Sequence, residues 1–154
     1  MSKVYRIKKV QQLPIGLDEA WDFFSSPQNL QNITPVNLGF NIISKHKGEK
    51  MYAGQIIEYK ISPLLNVPLY WMTEITHVEE KKYFVDEQRF GPYALWHHQH
   101  HFKVIGDYVE MTDIVHYKLP GWFLGDIANR LFVKRQLKAI FDYRYSTTAR
   151  LFTR

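Results

Sequence analysis

The spacing of apolar and polar residues changes along this chain, and each change marks an element. Residues 3–13 read as a strand that ends at Pro14. Leu17, Ala20, Trp21 and Phe24 follow at i, i+3, i+4 and i+7, one face of a short helix. Ser26-Pro27 has the form of an N-cap followed by proline at the first helical position. It predicts a second short helix that carries Leu30 and Ile33 and stops before Pro35. From 39 to 119 the period falls to two, and strands are expected over 39–46, 54–61, 69–79, 82–90, 94–105 and 108–119. Gly48, Gly54, Pro63, Pro68, Gly91-Pro92 and Gly106-Asp107 separate them, the last short enough for a tight hairpin.

After Pro120-Gly121 the helical period returns. Val133, Leu137, Ile140, Phe141, Thr148, Leu151 and Phe152 form one stripe, while Phe123, Leu124, Ile127, Ala128 and Leu131 lie on another face. Residues 122–131 therefore read as a lead-in helix or a bent first turn, and 132–152 as a long helix packed on the sheet. The expected fold is α+β: a seven-stranded antiparallel sheet closed by a long C-terminal helix, with two short helices after strand one.

Alternation also selects the inward face of each strand. The predicted inner rows are Ile57, Tyr59, Ile61; Leu69, Trp71, Thr73, Ile75; Phe84, Asp86, Gln88, Phe90; Trp96, His98, His100, Phe102, Val104; and Val109, Met111, Asp113, Val115, Tyr117. Arg144 falls in the apolar stripe of the long helix, seven residues after Leu137 and four before Thr148. A buried guanidinium must be paired or hydrated, so Arg144 is expected to meet Asp86 or Asp113. The hollow face then mixes aromatic walls with more polar groups than an ordinary core holds, which points to a cavity for a small molecule. Its candidate lining is Tyr59, Trp71, Asp86, Gln88, Trp96, His98, His100, Asp113, Tyr117, Phe141 and Arg144.

Composition narrows the field. The 154 residues suit one domain, 1–154, with 45% hydrophobic and 16% aromatic residues. With no cysteine, disulfide frameworks, zinc ribbons and thiol nucleophiles are excluded. The basic start lacks the apolar stretch of a secretory signal, and no run approaches the ~18 apolar residues of a membrane span. A soluble cytoplasmic protein is expected. The net charge of +5 is spread out, densest in Arg130, Lys134, Arg135, Lys138, Arg144, Arg150 and Arg154, and nucleic-acid binding is not expected.

The runs "FVDEQRFGPYALWHHQHHF" (84–102), "PLYWMTEI" (68–75) and "MTDIVHYKLP" (111–120), with "AWDFFSSPQNLQNITP" (20–35) and "IFDYR" (140–144), resemble the SRPBCC superfamily of START-like, pollen-allergen-like helix-grip proteins. The similarity is to a bacterial ligand-binding branch sometimes described as polyketide-cyclase-like. It implies a sheet wrapped around a long C-terminal helix and a cavity for lipids, sterols, quinones, hormones or polyketides. Some members of the superfamily are cyclases, hydratases or dehydratases. No residue-level catalytic assignment transfers to this branch.

The candidate chemistry centres on His98 and His100, which share one strand face. A His-x-His pair can begin a metal site, but a third ligand such as Asp113 is required and the helix-borne zinc signature is missing. No metal and no cofactor are expected. Alternatively His98 or His100, oriented by Asp86 or Asp113, moves a proton on an enolisable substrate, with His98, His100 and Asp113 as the catalytic set. The plain reading is a polar network that pins the sheet to Arg144. No nucleophile elbow, dinucleotide fingerprint or P-loop is present.

Three functions follow: a carrier of a small hydrophobic molecule, a cyclase, dehydratase or isomerase, or a regulatory protein whose cavity is plugged by Trp71, Trp96 and Phe141. Lys134, Arg135 and Lys138 form a basic helix edge that either touches an anionic bilayer transiently or is simply solvated. Residues 119–124 read as a lip at the cavity mouth or as a staple for the last helix. Phe123 is expected to be the staple, and Trp122 is open to either role.

Overall fold

The computed structural model describes residues 3–46, 48–63 and 66–153. Arg154, the last of the expected basic cluster, lies outside them. The described elements are strand β1 (Tyr5–Leu13), helix α1 (Leu17–Phe24), strands β2 (Asn41–Ile42), β3 (Ile56–Ile61), β4 (Leu69–Glu79), β5 (Tyr83–Phe90), β6 (Leu95–Ile105) and β7 (Tyr108–Lys118), and helices α2 (Phe123–Ala128) and α3 (Lys134–Leu151). The seven strands form one sheet in the order β1-β7-β6-β5-β4-β3-β2, with every pair antiparallel. Sequential neighbours pair from β2 to β7, and β1 closes on β7.

Where both faces of a strand meet different surroundings, burial follows the period-two pattern. β7 alternates strictly, burying Val109, Met111, Asp113, Val115 and Tyr117. The larger core lies under α1, where Trp21 meets Phe84 and Phe102 edge-on at 6.0 and 5.5 Å. Phe152, just beyond α3, packs on Phe23 and Phe24 and locks the end of the long helix to this core. Farther along, Gln11 of β1 accepts a bond from the Thr148 hydroxyl at 2.8 Å and donates to the Tyr145 carbonyl at 2.9 Å. That buried clamp fixes the rotation of α3 about its own axis, and with it the direction of Arg144.

Several expected boundaries shift. The strand expected over 39–46 shrinks to Asn41–Ile42. Beyond it the Ser44 hydroxyl, not a backbone carbonyl, accepts the Glu58 amide at 3.0 Å and ends the ladder. The second short helix is a 3-10 helix, Pro27–Ile33, followed by a single 3-10 turn, Val36–Leu38. Phe90, Val104 and Leu151, each at or next to an element's end, are exposed rather than inward. A π-helical turn, Asn129–Val133, joins α2 to α3 and absorbs the drift between the two apolar faces. Phe123, expected as a staple, is exposed. Gly125 packs there instead, and a β-carbon on it would come within 2.5 Å of the Pro120 carbonyl oxygen.

Candidate functional site: a polar corner in an aromatic cavity

Between the sheet and α3 lies a cavity of about 410 Å³. Its walls include Tyr59, Trp71, Tyr93, Trp96 and Phe141, and Ile57 and Ile75 add aliphatic surface. Tyr59 stacks on Trp71 at 5.7 Å, and Trp71 meets Trp96 edge-on at 5.5 Å. The Trp71 indole N–H is satisfied by the Thr73 hydroxyl at 3.0 Å, so the wall presents carbon to the cavity. Burial pushes the Tyr59 and Tyr93 hydroxyls above the ordinary phenol range, so both stay neutral. Trp71, Trp96 and Phe141 stand around the space and do not plug it.

One corner of the cavity is polar. Asp86 on β5, His98 and His100 on β6 and Arg144 on α3 all line it. Asp113 on β7 stands behind them, buried. Register explains the grouping: His98 pairs with Asp86 across β5–β6, and His100 pairs with Asp113 across β6–β7. His100 Nε2–H donates to Asp86 Oδ2 at 2.6 Å, and His98 Nε2–H donates to Asp113 Oδ1 at 2.8 Å. Each imidazole thus bonds the carboxylate diagonal to it, not the one it faces in the ladder. His100 Nδ1 lies 3.1 Å from Asp113 Oδ1 but is not aligned for a hydrogen bond. The imidazoles form a stack in which Phe84 covers the far side of His100 at 4.1 Å.

Arg144 faces the sheet, as its position in the stripe predicts. Its side chain is 14% exposed, and Nη2 stands 4.0 Å from Asp113 Oδ1, an ion contact without a hydrogen bond. The guanidinium also lies 5.8 Å from the Phe24 ring. Among the described residues it makes no hydrogen bond, so its N–H groups remain available at the cavity surface.

The shifts in protonation follow from this geometry. Burial pushes the Asp113 carboxyl up, but Arg144, His100 and His98 outweigh it and hold Asp113 well below the usual carboxylate range. Burial likewise opposes ionisation of Asp86, and His98 and His100 overcome it, leaving Asp86 lowered. For His100, burial favours the neutral ring, yet Asp113 and Asp86 raise it above the ordinary histidine value. His98 goes down, because burial and the charge on His100 prevail over both carboxylates. The corner therefore favours carboxylates at Asp86 and Asp113 beside the Arg144 guanidinium, and it favours a proton on His100 over one on His98.

Asp86, His98 and His100 also bring three potential metal-ligand atoms within 4.8 Å of one another. The chemistry of the set argues for hydrogen bonding. The closest donor–acceptor distances are hydrogen-bond lengths, and a fixed guanidinium supplies the cationic charge that a metal would bring.

Other expected lining residues have structural roles. Gln88 turns away and closes the β5–β6 connection, donating to the Tyr93 carbonyl at 2.7 Å and accepting the Tyr93 amide at 3.0 Å. It still faces Thr73 in the ladder, but its two bonds to the Tyr93 backbone hold its side chain at the turn and away from the cavity wall. Tyr117 is buried beyond the cavity, where its hydroxyl donates to Asn129 Oδ1 at 2.8 Å and its ring stacks on Tyr5 at 5.4 Å. Tyr93 and Phe40 line the cavity from connecting segments, where no periodic pattern marks them.

No protein-family model matches the chain, and no curated protein matches it in sequence. Solved structures match it over nearly their whole length. Major latex-like protein 151 from Panax ginseng superimposes with a TM-score of 0.70 at 14% identity, covering 98% of this chain and 99% of that one. A protein from Arthrobacter aurescens gives 0.69 at 9% identity, covering 94% and 86%. A point mutant of Thalictrum norcoclaurine synthase, in complex with a transition-state analogue, gives 0.65 at 14% identity, covering 99% of both chains. These neighbours are Bet v1-like, SRPBCC proteins, and this chain shares their helix-grip fold.

Proposed function

We propose that this protein binds a small, largely apolar molecule in the cavity and seats an oxygen-bearing end of it, a carbonyl or carboxylate, at the Arg144 corner. The observation that carries this reading is an open space of about 410 Å³ with aromatic walls and one polar corner. Ligand sites of about 300–1,000 Å³ are commonly built this way. Arg144 supplies unused N–H donors there, and a ligand oxygen that accepts from them relieves the cost of burying them bare. The resemblance of residues 84–102 to ligand-binding SRPBCC proteins supports the same reading, and we place such a carrier in the cytoplasm. The test is titration with anilinonaphthalene sulfonate, whose fluorescence rises in apolar surroundings, together with native mass spectrometry of the purified chain. Uptake of one dye per chain, lost on filling the cavity with Ala128→Trp, is the expected result. Absence of dye uptake together with an apo mass alone overturns the proposal.

A second reading, proton transfer on a bound enolisable compound, is favoured by one observation. His98 lines the cavity and is oriented through Nε2–H by Asp113, and burial with the charge on His100 holds it below the ordinary histidine value. That is the arrangement of a positioned base, with cyclase, dehydratase or isomerase chemistry as the class. His98→Ala separates the readings: a binder keeps its dye affinity within a few-fold, whereas an enzyme loses turnover while its fold survives.

A further inference from the structure

The segment that leads into α3 exposes apolar side chains on a scale that its packing does not explain. Trp122 is 79% exposed, Phe123 67% and Phe132 65%, and Leu124, Ile127 and Leu131 are exposed beside them. Isolated exposed apolar residues are ordinary, but a run of this kind marks a surface that meets something. Trp122 adds a second oddity. Its φ of 52° lies in the left-handed region, where a bulky side chain is strained. Neither burial nor backbone comfort accounts for an indole at that position.

Charge identifies the partner. Arg130, Lys134 and Arg135 are exposed on the same stretch of helix, and none has an acidic partner among the described residues. The acid of the segment, Asp126, is turned back onto the fold by the Tyr5 hydroxyl at 2.9 Å and the Lys3 amide at 3.3 Å. A second copy of the chain would bring the same cations against these, which disfavours a self-complementary dimer. An anionic lipid surface satisfies both features: aromatic rings settle at the headgroup level and Lys and Arg meet the charged phosphates. No helix among the described residues is long and apolar enough to cross a membrane, so contact is with the surface. Ala128, Phe132 and Val133, on the same segment, line the cavity, which places the patch beside its entrance.

We infer that the 122–135 segment docks this protein on anionic phospholipid, with Trp122 and Phe123 in the interface and Arg130, Lys134 and Arg135 on the headgroups. Docking brings the cavity entrance to the bilayer, where an apolar ligand enters or leaves without crossing water.

Co-sedimentation with phosphatidylcholine vesicles, with and without phosphatidylglycerol, tests this. The protein is expected to pellet with the anionic vesicles and to be released by high salt. Lys134→Glu with Arg135→Glu is expected to weaken the partition about tenfold or more. Trp122→Gly with Phe123→Ser should cause a similar loss; glycine suits the backbone at 122, so the fold is retained. Neither pair lines the cavity, so dye uptake reports ligand binding separately from docking. Quenching of Trp122 fluorescence by brominated lipid, absent in Trp122→Gly, is the corroborating signal. Failure to pellet with anionic vesicles overturns the inference. So does equal, salt-independent binding to neutral ones, or a dimer in solution that the same substitutions dissolve without any vesicle binding.

Discussion

The imidazoles of His98 and His100 lie nearly face to face, their ring centroids 3.7 Å apart and their planes inclined by 31°. Two positive charges at that distance repel strongly in a buried setting, so protonation of one ring opposes protonation of the other. His100 takes the proton because its Nε2 reaches Asp86 at 2.6 Å while Asp113 flanks its other nitrogen. His98, left with the burial cost and the neighbouring charge, stays neutral.

Nitrogen-detected NMR of the histidine rings checks this split. His100 is expected to remain protonated above the ordinary histidine range and His98 to remain neutral below it. The two residues also bias stability in opposite directions. Stabilisation by His100 is complete below the unfolded histidine value and disappears as pH rises through its raised folded value. Stabilisation by neutral His98 is present above the unfolded value and is lost as pH falls towards its lowered folded value. Two histidines titrating together near their ordinary value would contradict this account.

Asp113 should dominate acid unfolding. Its folded-state value lies well below that of the unfolded chain, so its stabilisation is present above the ordinary carboxylate range and fades as pH falls through and below it. Asp113→Asn is expected to destabilise by ~2–3 kcal/mol at neutral pH, since it removes the charge nearest Arg144 and the carboxylate that His98 bonds, while His100 keeps Asp86. Urea unfolding of wild type and variant across the acid range measures both effects, and the gap between the curves should narrow as pH falls.

Arg144→Leu should be milder. The 4.0 Å contact with Asp113 carries no hydrogen bond, and Asp113 keeps its bond from His98 and its contact with His100. A loss of ~1–2 kcal/mol is expected from chemical denaturation. The same variant should bind anionic dye more weakly and leave affinity for an uncharged aromatic probe nearly unchanged. Equal loss for both probes would place Arg144 outside ligand recognition.

Gly125→Ala tests how the helical lead-in is seated. A β-carbon there meets the Pro120 carbonyl oxygen at 2.5 Å and Leu119 Cβ at 3.1 Å, and backbone cannot yield as a flexible side chain does. The expected cost is ~1–3 kcal/mol, with faster amide exchange over α2 as it lifts from the end of β7.

The residues of the polar corner show how far pattern reading reaches. Period-two alternation placed Asp86, His98, His100 and Asp113 on one face, and helical spacing turned Arg144 towards them. Both statements depend only on which side of an element a residue occupies. Gln88 fails the same test because its side chain is taken up by the Tyr93 backbone across the following turn, a contact that alternation does not announce. Tyr93 joins the cavity from a connection, where side-chain direction follows the turn and not a period.

Sequence alone determined the order of elements, the faces that turn inward and the presence of an arginine among carboxylates, because burial of apolar stripes selects these locally. The three-dimensional packing decided which imidazole meets which carboxylate, whether the aromatics plug or frame the space, and that Trp122 and Phe132 stay in solvent. Those outcomes depend on distances of a few tenths of an ångström between residues far apart in the chain. A repeat of two or 3.6 residues fixes a direction but not a distance.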